Sequence, residues 1–68
     1  MSLMEYFRLF TDSWRLMKKH YSGKLSDEWC EMVIQEANLI AERYSNHLFA
    51  CRLLGLVLDE LEQVVRKK

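Results

Sequence analysis

The chain has 68 residues, half of them apolar, with ten acidic and ten basic residues and a formal net charge of zero. This composition excludes intrinsic disorder, and the length allows one small domain whose core is marginal without further contacts. Because charges balance, no overall field attracts the chain to nucleic acid or to an acidic membrane.

The first predicted helix spans residues 3–22. Its apolar residues recur at spacings of four and three, and this heptad seam is expected to face the core: Leu3, Phe7, Phe10, Trp14, Met17 and Tyr21. Ser2 and Glu5 have the spacing of a capping box, provided that translation starts at Met1 rather than Met4. Gly23 is expected to end the helix in a left-handed conformation.

The second predicted helix spans residues 27–44. Ser26 is its predicted N-cap, and Asp27 and Glu28 suit the first turn. Its buried face is predicted to comprise Trp29, Cys30, Val33, Ile34, Ala37, Ile40, Ala41 and Tyr44. Met32 and Leu39 lie on the opposite side, among acidic residues.

The third predicted helix spans residues 47–67, with Ser45 or Asn46 as its cap. An apolar arc of about 160° would let this helix contact two others at once. The arc comprises Ala50, Cys51, Leu53, Leu54, Val57, Leu58, Leu61, Val64 and Val65. Leu48, Phe49 and Leu56 fall on the other side, around Arg52.

The predicted fold class is all-α, an antiparallel up-down-up three-helix bundle in which residues 1–68 form a single helical domain. Both joints have only a few residues, and joints this short make consecutive helices antiparallel neighbours. The predicted core comprises Phe7, Phe10, Trp14, Met17, Trp29, Val33, Ala37, Ile40, Leu54, Leu58 and Leu61.

Each predicted helix carries surplus apolar residues, including Leu9 and Leu16 on the flank of the first. A small domain gains stability by burying such surface against a copy of itself, so we expect a homodimer. The predicted contact residues are Leu48, Phe49, Leu56, Met32 and Leu39. Phe49 is the expected anchor, and Gly55 would let another helix approach closely. Scattered surface apolar residues are the alternative explanation.

The sequence offers little chemistry for catalysis or for a cofactor. His20, Cys30, His47 and Cys51 resemble a zinc set, but in the predicted bundle Cys30 and Cys51 lie roughly 15 Å apart. That separation also excludes a disulfide within one chain, so both cysteines are expected in the core. A metal site made by His47 and Cys51 of two copies remains an alternative. No combination of polar residues indicates an enzyme.

The predicted function is a non-catalytic protein–protein interaction or regulatory module. Nucleic-acid binding is the alternative, through a basic cluster at the end of the first helix: Arg15, Lys18, Lys19 and Lys24. A second basic cluster occupies residues 66–68. Basic residues at helix C-termini also stabilise the helix dipole, so nucleic acid is the less favoured partner.

No secretory signal or membrane span is predicted. Glu5 and Arg8 interrupt the N-terminal apolar residues, and the dense apolar segment around Arg52 is shorter than the roughly 20 residues a bilayer needs. Three segments, FTDSWRLMKKHY, SDEWCEMVIQEANLIAERY and NHLFACRLLGLVLDELEQV, together resemble small uncharacterised helical proteins of Gram-positive bacteria and their mobile elements. The resemblance implies a cytoplasmic location and an accessory or phage-related role.

Overall fold

A computed structural model describes residues 1–67 and contains three α-helices: α1 (Leu3–His20), α2 (Asp27–Arg43) and α3 (Leu48–Arg66). Within this described range there is no β-strand, and every pair of helices is in contact. The prediction of an all-α, three-helix domain is therefore confirmed. The unit measures 37 × 16 × 15 Å, so it is about one helix long.

The helix starts are set by local hydrogen bonds. The Ser2 hydroxyl accepts from the Glu5 N–H (3.2 Å), while the Glu5 carboxylate accepts from the Ser2 N–H (3.1 Å). The Ser26 hydroxyl accepts from the Trp29 N–H (3.0 Å), so both predicted caps are present. The third cap differs from the prediction, because α3 begins after His47, whose Nδ1 accepts from the Phe49 N–H (3.2 Å).

Gly23 has a different purpose from the one predicted. Its φ is not positive, so it does not form a left-handed C-cap. Instead, a Cβ at this position would lie 2.4 Å from Nε1 of Trp29. The first joint therefore requires glycine because the backbone passes directly over the Trp29 indole.

The second joint uses two left-handed residues, Ser45 (φ 55°) and Asn46 (φ 53°). The Asn46 N–H donates to the Ala41 carbonyl at 2.9 Å, which satisfies one of the free carbonyls at the end of α2. Because Ser45 and Asn46 serve to end α2, the N-cap of α3 falls one residue later, at His47.

The core contribution of α2 and α3 agrees with the sequence pattern. The predicted core residues that are buried on these helices are Trp29, Val33, Ala37, Ile40, Leu54 and Leu61. Leu58 is partly buried and packs against them. Two residues depart from the prediction: Ile34 and Cys51 are exposed.

Helix α1 turns a different face toward the core from the one predicted. Its buried residues are Leu9, Ser13, Leu16 and His20. The predicted core residues Phe7, Phe10 and Trp14 are 63 %, 51 % and 61 % exposed, and only Met17 is half-buried. The two seams lie about 110° apart around the helix axis. The predictions of a core aromatic seam and of Leu9 and Leu16 as surface residues are therefore wrong.

Polar contacts with α2 explain this orientation. The Tyr44 hydroxyl donates to the Asp12 carboxylate at 2.8 Å. Glu36 lies 2.5 Å from Nζ of Lys19 and 2.5 Å from Nε2 of His20. Rotating α1 by about 110° to bury its rings would break these contacts.

Candidate functional site

The most prominent surface of the molecule is an apolar stripe along the outside of α1, which we call the aromatic face. It comprises Leu3, Phe7, Phe10, Trp14, Met17 and Tyr21. At 1.5 Å per residue it extends for about 27 Å. All of these residues except Met17 are at least half exposed, whereas a side chain of this type is usually buried.

Phe49 extends the aromatic face onto α3. Its ring centroid lies 5.3 Å from that of Tyr6 and 6.0 Å from that of Phe10, in edge-to-face arrangements. Aromatic pairs with this geometry attract each other beyond their buried area. Phe49 was predicted to anchor a separate surface of α3, but the structure places it beside α1.

The aromatic face has a concave region near the C-terminal end of α1. Trp14, Met17, Lys18 and Tyr21 line a groove of about 240 Å³. Its walls are the two aromatic rings and the thioether chain, and the Lys18 side chain supplies a cation at the rim. An apolar side chain from a partner could enter this groove.

The other predicted self-association residues are exposed but lie on two helices. Leu48 and Leu56 are on α3, and Met32 and Leu39 are on α2. A Cβ at Gly55 would have no neighbour within 4 Å, so this glycine is not required by packing within the chain.

On the side of α1 that faces α2, away from the aromatic face, a polar cluster holds the two helices together. His20 is 4 % exposed, and its ring lies edge-on to Trp29 with centroids 6.3 Å apart. Partial burial opposes the ionisation of Glu36, but hydrogen bonds from Lys19 and His20 outweigh it and hold the Glu36 pKa below its usual value of 4.5. Sequence reasoning considered His20 as a candidate zinc ligand and as a basic residue at the helix C-terminus, but not as a contact with α2, because nothing local indicated Glu36 as its partner.

A second polar contact lies at the C-terminal end of α2, where Tyr44 meets Asp12 of α1. Burial and the hydrogen bond to Asp12 raise the pKa of Tyr44 to about 12. Arg43 approaches the same Asp12 carboxylate at 3.9 Å. Together with the His20 cluster, this contact determines which side of α1 faces solvent.

The four predicted nucleic-acid contacts have different surroundings. Lys19 pairs with Glu36, Lys18 borders the aromatic groove, and Lys24 is exposed in the first joint. Arg15 lines an open groove of about 610 Å³ between α1 and α2. Cations and carboxylates alternate in that groove, which also contains Glu5, Arg8, Asp12 and Arg43.

Only part of the second basic cluster, residues 66–68, lies within the described residues. Arg66 pairs with Glu62 one turn earlier, and Lys68 lies outside the described residues. An Arg–Glu pair at this spacing stabilises its own helix, so it leaves less of the cluster for a ligand.

The candidate metal ligands do not come together. Across residues 1–67, no group of three or more His, Cys, Asp and Glu side chains is placed to hold a metal ion. Cys30 and Cys51 are both free thiols, and Cys51 is exposed rather than in the core as predicted. None of the described helices combines the length and apolar character needed to cross a membrane.

No known protein family, curated protein or solved structure matches this chain. The candidate site is therefore defined by the surface of the molecule itself, and its main component is the aromatic face of α1 with Phe49.

Proposed function

We propose that this protein is a small, non-catalytic interaction module that homodimerises through its helix surfaces. The observation that carries the proposal is the aromatic face, where Phe7, Phe10, Trp14 and Tyr21 are each more than half exposed. A contiguous apolar patch of this kind on a small domain typically marks a surface that another protein covers.

The total surface supports the same conclusion. The chain exposes 5096 Å² at a mass of 8.2 kDa. A folded monomer of this mass is expected to expose roughly 4500 Å². The excess agrees with a subunit that completes its burial by association, as small domains commonly do.

We also propose the antiparallel up-down-up topology for the bundle. Two contacts between α1 and α2 support it: Asp12 pairs with Tyr44, and His20 pairs with Glu36. As the residue number rises along α1, the number of its partner on α2 falls. With this topology the aromatic face runs along one side of the whole unit.

A cytoplasmic location belongs to the same proposal. The two free thiols, Cys30 and Cys51, fit a reducing compartment, where small domains do not depend on disulfides.

Sedimentation velocity tests the proposed self-association. Between about 1 and 200 µM, we expect the wild-type chain to change from monomer to dimer, the range in which modest interfaces associate. A chain that stays monomeric throughout this range would refute the homodimer.

Nucleic-acid binding is the second candidate, favoured by the exposure of Arg15, Lys18 and Lys24 around one end of α1. It predicts salt-dependent retention on heparin that the double variant Arg15→Glu, Lys18→Glu loses. A double charge reversal away from this cluster, Arg52→Glu with Arg66→Glu, changes the net charge by the same amount and should leave most of the retention. If the wild type elutes in the void volume at low salt, this candidate is excluded.

A further inference from the structure

We propose that the occupant of the aromatic face is a second copy of this chain, with α1 packed antiparallel against α1 of the partner. The inference rests on the proposed function, which requires a homodimer, and adds which surface forms it and in which orientation.

The exposed area is sufficient for a stable dimer. Phe7, Phe10, Trp14 and Tyr21 are 63 %, 51 %, 61 % and 53 % exposed. With about 150–250 Å² for each ring when fully exposed, these four residues present roughly 450 Å². Leu3 and Phe49, together with Met4 on the flank of the aromatic face, bring the exposed apolar area to roughly 700 Å², close to the 800 Å² that each partner contributes to a standard interface.

The spacing of the aromatic face suits helix-on-helix packing. Its members alternate in steps of four and three, which is the a/d pattern of a two-helix seam. In an antiparallel pair related by a twofold axis, Leu3 meets the partner's Tyr21. In the same way Phe7 meets the partner's Met17, and Phe10 meets the partner's Trp14. The interface is then self-complementary, as a twofold dimer requires.

Charge selects the antiparallel orientation. The last turn of α1 carries Lys18, Lys19 and His20, whereas its first turn carries Glu5. A parallel pair would bring two basic ends together. An antiparallel pair keeps the two basic ends apart and opposes the two helix dipoles favourably.

The outer side of α2 is a poorer interface. Its exposed apolar residues, Met32 and Leu39, lie among Glu28, Glu31 and Gln35. Two copies meeting there across a twofold axis would place carboxylates near carboxylates. The aromatic face contains no acidic side chain among its members, so it lacks this repulsion.

Charge substitutions at matched exposed positions test the surface. Phe7→Asp and Trp14→Asp place a charge within the proposed interface, whereas Leu39→Asp and Leu56→Asp place one on α2 and α3. Sedimentation should show the dimer dissociation constant rising at least about 100-fold for the first two and less than about threefold for the controls. All four residues are exposed in the chain, so circular dichroism should show an unchanged helix content.

The outcomes separate this inference from the proposed function. If wild type dimerises and the controls dissociate it while Phe7→Asp and Trp14→Asp do not, the homodimer stands and the aromatic face is refuted. If wild type is monomeric up to about 200 µM, both are refuted.

Disulfide crosslinking tests the orientation, in a background where the native cysteines are replaced (Cys30→Ala, Cys51→Ser). Met4, Thr11 and Lys18 lie on the outer flank of the aromatic face at seven-residue intervals. In an antiparallel pair Thr11 lies near its own copy in the partner, and Met4 lies near the partner's Lys18. In that arrangement each Met4 is about 24 Å along the helix axis from the partner's Met4.

Thr11→Cys should therefore crosslink with itself on mild oxidation. Met4→Cys and Lys18→Cys should crosslink when mixed but not separately, because a disulfide requires Cα atoms within about 7 Å. Efficient crosslinking of Met4→Cys with itself would indicate parallel helices and refute the orientation. Absence of every crosslink in a dimeric sample would refute the interface.

Discussion

Replacing Leu9 with alanine should destabilise the protein far more than replacing the larger Phe7. Leu9 is 0 % exposed in the core, whereas Phe7 is 63 % exposed on the aromatic face. Truncating a buried leucine costs about 2–5 kcal/mol. A domain of this length has a total stability of roughly 3–10 kcal/mol, so Leu9→Ala removes a large fraction and lowers Tm by at least about 10 °C.

Phe7→Ala should have a small effect on the isolated subunit. The buried third of its surface is worth about 1 kcal/mol, and the higher helix propensity of alanine returns about 0.5 kcal/mol. The cost should increase with protein concentration, because the exposed part of the ring would be buried in the proposed dimer.

Urea unfolding followed by circular dichroism measures both effects, at about 1 µM and about 100 µM protein. Leu9→Ala should lower the free energy of unfolding by a similar amount at both concentrations. If Phe7→Ala costs more than about 2 kcal/mol at the lower concentration while Leu9→Ala costs less than about 1 kcal/mol, the aromatic seam faces the core after all.

Two further predictions concern the polar cluster and the glycine of α3. The Glu36 pKa lies below 4.5 in the folded chain, so its stabilising contribution is complete above about pH 4.5 and is lost as the pH falls through the lower folded-state value. Glu36→Gln should cost about 0.5–1 kcal/mol at pH 7 and progressively less as the pH falls below about 4.5, as measured by urea unfolding, and a cost that does not change with pH would contradict this assignment. Gly55→Ala should stabilise the monomer by about 1 kcal/mol, since a Cβ there has no neighbour within 4 Å. Loss of the dimer in this variant, seen by sedimentation, would show that a second helix packs against Gly55 rather than α1.

The features that depend on neighbouring residues were predictable from the sequence. Helix positions follow from apolar spacing, and the caps at Ser2 and Ser26 follow from hydroxyl groups placed three residues before the N–H groups they bind. The cap of α3 was missed because Ser45 and Asn46 adopt left-handed conformations that end α2. By residue type alone, Ser45 and Asn46 are equally suited to capping α3 and to the left-handed conformations that end α2.

The orientation of α1 was not predictable by the same reasoning. Periodicity identifies a stripe, and α1 contains two stripes with heptad spacing: the aromatic face, and the buried seam of Leu9, Ser13, Leu16 and His20. The aromatic stripe is the more hydrophobic, so the pattern favours it as the core. The deciding contacts join residues far apart in the chain, Asp12 with Tyr44 and Lys19 with Glu36.

The candidate site was only partly predictable, because the sequence pattern indicated the wrong face of α1 for the core. Self-association was expected from surplus apolar residues on all three helices, but the predicted contact residues lay on α2 and α3, because α1 was assumed to have used its rings internally. Once α1 turns its rings outward, the largest surplus moves to α1. Phe49 lies in both descriptions, because its ring is on the flank of α3 that meets α1.

The two seams of α1 compete for the core in a monomer, and the proposed dimerisation would remove that competition. Burying the rings within one chain would move Asp12, His20 and Lys19 away from their partners on α2. Leaving them outside preserves those contacts but exposes an aromatic stripe about 27 Å long. When α1 packs against its copy, the inner seam stays on α2 and α3 while the outer seam is covered. In the proposed dimer one helix serves two cores, which would account for exposed aromatic residues on α1 in a chain of 68 residues.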